Sequence, residues 1–109
     1  MHITNSTVIM STVIMAQDLG IVKTVDKLTD RELTRAIRDA IIAEEGAIKQ
    51  YENVVDATDN KDVKKILTSV ANEERVHIGE LQKLLLILLP DEQEKLDDGA
   101  KEVEDEIGK

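Results

Sequence analysis

Residues spaced alternately four and three apart form a stripe from Val63 to Leu88, and all but two of them are apolar. This spacing is typical of the seam along which one α-helix packs against another. The composition agrees, because the chain has one Tyr and neither Phe nor Trp, whereas small β-domains use more aromatic side chains. We therefore predict an all-α fold. The stripe consists of Val63, Leu67, Val70, Glu74, His77, Leu81, Leu84 and Leu88.

A second long helix is predicted ahead of this one. Thr29 and Glu32 have the spacing of a capping box, in which each side chain accepts a hydrogen bond from the backbone N–H of the other residue. An apolar stripe follows, and the helix should end near Ala57 or Thr58. That stripe consists of Leu33, Ile37, Ala40, Ile41, Ile48 and Val55.

The two helices should form an antiparallel hairpin, because few residues separate them. Asp59, Asn60 and Asp62 supply capping side chains for the second helix, and Pro90 closes it. A short, very acidic helix should follow from about 91 to 104, interrupted near Gly99.

At 109 residues the chain is long enough for one domain. Residues 1–27 contain the repeat Ser-Thr-Val-Ile-Met and are interpreted as an N-terminal arm, whereas residues 28–109 hold the hairpin and the acidic helix. A formal net charge of −9 argues against nucleic-acid binding, which needs a basic surface. No apolar run is long enough to span a membrane, and the absence of Cys excludes thiolate metal sites.

Two members of the second stripe are polar. Glu74 and His77 are three residues apart, so both point to one helix face. An ionised carboxylate in such a seam costs roughly several kcal/mol unless it is paired or binds a metal. The first helix repeats the pattern, since Glu44 lies between Ile41 and Ile48 in its stripe. An antiparallel hairpin brings Glu44 toward Glu74 and His77.

These residue types point to a metal site shared by two chains. Helical bundles that hold two iron ions use one Glu from each of two helices and a Glu-x-x-His pair from each of the other two. One copy of this chain supplies Glu44, Glu74 and His77, so a homodimer supplies the full set. Iron suits these donors, and manganese, zinc or calcium are alternative occupants. The alternative interpretation is a hairpin whose polar seam residues only set its register.

Tyr51 lies two turns beyond Glu44 on the same helix face. It is either a hydrogen-bond partner or electron donor near the metals, or an ordinary core tyrosine.

The segments Ala43–Glu52 and Val70–His77, with residues 78–89, resemble encapsulated ferritins, the two-helix ferritin-like proteins of encapsulin nanocompartments. The resemblance covers about residues 28–104. It implies a ferritin-like four-helix bundle formed by homodimerisation, with Glu44, Glu74 and His77 as ligands of two iron ions per dimer and Tyr51 beside them. It also implies a ferroxidase that oxidises Fe²⁺ with O₂ for iron storage or detoxification.

The resemblance further implies that the dimers assemble into a ring such as a decamer, inside an encapsulin shell in the cytoplasm. Two departures accompany it. Ala43 and Gly46 stand where family members often have acidic residues for iron uptake, and the segment from Glu104 to Lys109 has no apolar shell-targeting tail. A rubrerythrin-like peroxidase and a non-enzymatic oligomerising module remain the alternative functions.

Overall fold

The computed structural model describes residues 26–109, and within them the backbone forms three α-helices and no strand. Helix α1 spans Asp30–Ala57, α2 spans Lys61–Leu88 and α3 spans Glu92–Ile107. The predicted all-α class is therefore confirmed. The predicted arm lies almost entirely outside the described residues and stays a prediction. None of the described helices combines the length and apolarity needed to cross a bilayer.

Helix α1 begins at the predicted capping box. The hydroxyl of Thr29 accepts the N–H of Glu32 at 3.2 Å, and the Glu32 carboxylate accepts the N–H of Thr29 at 3.0 Å. This backbone N–H, with a smaller contribution from the hydroxyl, lowers the pKa of Glu32. Both groups satisfy backbone donors that have no partner inside the helix.

A connection of three residues joins α1 to α2. The Asn60 side chain caps α2 by accepting the N–H groups of Asp62 and Val63, both at 3.1 Å. The Lys64 ammonium donates to the Val55 carbonyl at 2.6 Å, so a cation stabilises the last carbonyls of α1. The two helices are therefore tied together at the end of the hairpin that we call the turn end.

An aliphatic cluster holds the opposite, open end of the hairpin. Ile37 and Ala40 of α1 pack with Leu81 and Leu85 of α2, and Ile41, Leu88 and Leu89 lie against them. The predicted places of Val63 and Leu84 in the seam are wrong: Val63 is 36% exposed and Leu84 is 43% exposed, whereas Leu85 is only 4% exposed. The seam shifts because seven residues fall about 20° short of two full turns of a straight helix, and three heptads separate Val63 from Leu84.

Helix α3 has no buried residue. The Arg38 guanidinium of α1 donates to both carboxylate oxygens of Glu92 at 3.0 and 3.1 Å, and this pairing raises the pKa of Arg38. The helix runs without interruption through Gly99, contrary to the predicted break, and ends at Gly108, whose φ of 74° suits glycine. The bidentate pair thus attaches the start of α3 to the hairpin.

Candidate metal centre

Glu44, Glu74 and His77 lie together in the middle of the hairpin, between the turn end and the open end. The His77 Nδ1 atom is 3.5 Å from Glu44 Oε2 and 3.9 Å from Glu74 Oε2. One ligand atom from each residue can be chosen so that all three lie within 4.8 Å of one another. Two carboxylates and an imidazole at this separation can hold a metal ion.

The three side chains are almost completely removed from solvent. The exposed fraction is 1% for Glu44, 0% for Glu74 and 7% for His77. Neither carboxylate oxygen of Glu74 has a hydrogen-bond partner. A buried carboxylate without donors is costly, and a bound cation relieves that cost. The donor set of two carboxylates and an imidazole therefore fits a divalent metal ion.

The helices place these groups by simple spacing. Glu44 lies one turn from Ala40 and one turn from Ile48, both of which are buried, so the seam of α1 directs Glu44 inward. Glu74 and His77 are three residues apart on α2, with buried Ala71 before them. The aliphatic cluster and the turn end fix the register between the helices. The group is therefore held by packing on both sides along the hairpin.

Tyr51 is not part of this group of three. It is half-buried on α1 and lies seven residues, about 10 Å, along the helix from Glu44. Ala43 is half-buried and Gly46 is exposed, and neither has a side-chain atom that could bind a metal beside Glu44. Within residues 26–109 no other set of three His, Cys, Asp or Glu side chains forms such a group.

Comparison with known proteins gives consistent similarities. The sequence model of the family described as Rubrerythrin matches residues 23–107. A ferritin-like–encapsulin shell fusion protein of Pyrococcus furiosus is 42% identical over 80 residues, which is 73% of this chain and 23% of the relative. The encapsulin nanocompartment cargo protein EncC of Myxococcus xanthus is 47% identical over 66 residues, 61% of this chain and 51% of the relative.

The chain thus spans about a quarter of one relative and about half of the other. Among solved structures, the crystal structure of the encapsulated ferritin domain from Pyrococcus furiosus superposes with a TM-score of 0.79 at 38% sequence identity. The match covers 83% of this chain and 92% of that domain. Helix lengths, order and packing are therefore those of a ferritin-like domain.

Proposed function

Since the chain belongs to the rubrerythrin family of ferritin-like proteins, we propose that it is a ferroxidase, which oxidises Fe²⁺ to Fe³⁺ with O₂. One observation carries the proposal. The Glu74 carboxylate is fully buried with no hydrogen-bond donor, next to Glu44 and His77. A side chain that destabilises the metal-free protein but could bind a metal is typical of functional sites.

Glu44, Glu74 and His77 are the proposed ligands. Glu44 and Glu74 supply hard anionic oxygens, which favour the more highly charged Fe³⁺ and so help the oxidation. His77 presents Nδ1 toward both carboxylates, so Nδ1 is the proposed ligating nitrogen. Iron supplies the redox chemistry as the substrate, and the chain supplies orientation, charge and exclusion of water.

A second copy completes the site in this proposal. Val70, His77 and Leu84 recur every seven residues on one face of α2, and Leu84 is 43% exposed there. Along one side of the α1 face that carries Glu44, three half-buried residues are alanines, which allows another backbone to approach closely. They are Ala36, Ala43 and Ala47. Two copies joined on this face contribute four Glu and two His, the set that binds two iron ions.

The electron balance needs only iron, O₂ and protons. Each Fe²⁺ loses one electron. Four Fe²⁺ and four H⁺ reduce one O₂ to two H₂O, whereas two Fe²⁺ and two H⁺ yield one H₂O₂. The ratio of oxygen consumed to iron oxidised therefore identifies the product.

An encapsulin shell is the proposed destination of the ferric iron. Both relatives carry encapsulin in their names, one as a shell fusion and the other as a nanocompartment cargo protein. We place this chain in such a compartment in the cytoplasm, as dimers arranged in a ring such as a decamer.

The test adds Fe²⁺ under air and follows both the ultraviolet absorbance of ferric iron and the oxygen consumed. With the wild type, iron should be oxidised faster than in buffer without protein. With Glu74→Ala or His77→Ala, the oxidation rate should equal the rate in buffer alone. Glu80→Ala is the matched control, because Glu80 is an exposed carboxylate on the same helix. A wild-type rate equal to that of buffer contradicts the proposal.

The family match also favours a second candidate, a peroxidase that reduces H₂O₂. The 109 residues contain no Cys, so a separate reductase would have to supply the electrons. Turnover with H₂O₂ well above turnover with O₂ would favour this function. If neither oxidant supports turnover and Glu74→Ala assembles as well as the wild type, the chain is an oligomerising module without catalysis.

Tyr51 is proposed to act beside the iron as a hydrogen-bond partner or electron donor. Tyr51→Phe removes only the hydroxyl, so iron binding should be unchanged while the oxidation rate falls several-fold. Single-turnover oxidation, with iron content measured in parallel, checks this. An unchanged rate would make Tyr51 a packing residue.

A further inference from the structure

Apolar residues close the metal group on the side that faces away from the proposed partner. Ala71 and His77 lie about 60° to either side of Glu74 around α2, because each is three residues from it. His77 lies on the proposed dimer face, so Ala71 lies on the opposite side. Ile48 and Ile78 are buried on that side as well, with exposed fractions of 8% and 9%. We call these three residues the apolar wall.

A concavity of about 230 Å³ lies outside the apolar wall, between α1 and α2 toward the turn end. Its floor is apolar and consists of Val55, Leu67 and Ala71, whereas the residues of its rim are polar and exposed. Ala71 is 6% exposed and precedes Glu74 by one turn, about 4.5 Å along the helix axis. Its side chain is a single methyl group, so the wall is thinnest where it meets the concavity.

Such a wall distinguishes between the two substrates of the proposed ferroxidase. Fe²⁺ is charged and hydrated, and moving it across apolar side chains has a large desolvation cost. O₂ is neutral and apolar, so contact with methyl groups has no such cost. A layer one methyl group thick needs only small side-chain motions to let O₂ pass.

The proposed dimer makes this side of the hairpin important for oxygen. The second copy covers the face that carries His77, so water and gases are excluded from that side of the metal group. Thr68 and Arg75, which line the concavity, lie on the other face of the hairpin. The concavity therefore stays accessible when the two copies join.

We propose that O₂ reaches the metal group from this concavity, through the apolar wall at Ala71, by a route that hydrated Fe²⁺ does not take. The inference rests on the proposed ferroxidase function. Ala71 binds neither substrate in this proposal. It determines access, because a larger side chain at this position would close the thinnest part of the wall.

The first test follows O₂ itself in the metal-free protein. Dissolved O₂ is paramagnetic and speeds the nuclear magnetic relaxation of methyl protons that it approaches. Ala40 is the matched control, since it is 4% exposed and lies in the aliphatic cluster away from the concavity. With chelator present and under O₂ pressure, the methyl protons of Ala71, Ile48 and Ile78 should relax faster than those of Ala40.

A hydrophilic gadolinium chelate provides the comparison for simple surface exposure. It is too large and too polar to enter the wall, so it should affect Ala71 and Ala40 alike. Equal relaxation of the two alanines under O₂, or an excess at Ala71 that the gadolinium chelate reproduces, would overturn the proposal. This measurement needs no iron oxidation.

The second test obstructs the route and measures iron oxidation at varied O₂ concentration. Thr68 is exposed at the rim of the concavity, so Thr68→Trp fills it without changing the core. The KM for O₂ should rise several-fold, while kcat at saturating O₂ and the affinity for Fe²⁺ measured without O₂ stay unchanged. Ala71→Leu, which thickens the wall itself, should raise the KM for O₂ further. Lys65→Trp is the control, because Lys65 is exposed on the same helix outside the concavity.

The two tests separate this inference from the function on which it rests. If Thr68→Trp and Ala71→Leu both keep the wild-type KM for O₂, the route is wrong although the ferroxidase function stands. If the wild type oxidises iron no faster than buffer, the ferroxidase function fails. The relaxation of Ala71 then still decides whether O₂ crosses the wall.

Discussion

At the scale of single residues, Glu74 has the clearest conflict between packing and charge. It lies in the seam of α2 between buried Ala71 and Ile78 and beside Glu44 and His77, and neither of its oxygens accepts a hydrogen bond. A buried charge without partners destabilises the fold, and replacing it with an apolar group of similar size is often neutral or stabilising. In the proposed metal site, Glu74 would therefore cost stability when the metal is absent and support binding when it is present.

Glu74→Leu should raise the free energy of unfolding of the metal-free protein by about 1–3 kcal/mol, because the unsatisfied carboxylate is removed. The same change should abolish the stabilisation that Mn²⁺ gives the wild type, about 2.7 kcal/mol at a hundred times the dissociation constant. Denaturant titrations with chelator and with Mn²⁺ measure both quantities.

Glu80→Leu serves as the control for added apolar surface, since Glu80 is exposed on the same helix. A Glu74→Leu protein that is less stable than the wild type in chelator would show that the carboxylate has a favourable partner.

The sequence predicted that Glu44, Glu74 and His77 lie together, which the structure shows, better than it predicted the surroundings of these residues. Glu44, Glu74 and His77 could be found because a polar residue in an apolar stripe is visible in the sequence itself. The nitrogen of His77 that faces the carboxylates could not, because ring orientation depends on packing between helices. Tyr51 shares the helix face of Glu44 but remains half-buried, since burial depends on neighbours as well as spacing.

At the scale of the helices, the ends were more predictable than the faces. Caps are local, so Thr29 and Glu32 identified the start of α1 from four residues. The seam was misplaced at Leu84 because a regular heptad pattern ignores the rotation that accumulates along a straight helix. Gly99 did not interrupt α3, since glycine costs a helix only about 1 kcal/mol relative to alanine.

Thr29→Ala should destabilise the protein by about 1 kcal/mol, because the hydroxyl no longer accepts the N–H of Glu32. Thr68→Ala is the control, an exposed threonine within α2. The denaturation midpoint measures the difference, and an equal shift in both variants would show that the cap adds nothing.

The same cap should make stability depend on pH. The pKa of Glu32 is lowered in the folded state, so its contribution is present above the unfolded pKa of about 4.3. That contribution is lost as the pH falls through the lower folded value. Glu32→Gln should remove this part of the loss of stability at acidic pH. If the free energy of unfolding of Glu32→Gln falls with acidification as steeply as that of the wild type, Glu32 does not cause this pH dependence.

At the scale of the whole molecule, the proposed dimer makes activity depend on protein concentration. In that proposed dimer, each chain would supply Glu44, Glu74 and His77, which is half of the ligands for two iron ions. Specific activity should therefore fall on dilution below the dimer dissociation constant, in step with the native mass. Stopped-flow oxidation and sedimentation velocity over the same concentrations measure the two curves. Constant specific activity through dissociation would show that a single chain is sufficient.

The short turn between α1 and α2 also sets the order in which the chain can fold. Contacts near the turn, such as Lys64 with Val55, close a loop of few residues, whereas those at the open end, such as Ile37 with Leu85, close a much longer one. Loop-closure entropy grows with length, so pairing should spread like a zipper from the turn. Glu44 and His77 lie in the middle of the hairpin, so they should come into contact before the aliphatic cluster at the open end forms. A newly made chain would thus bring its candidate ligands together before its fold is complete.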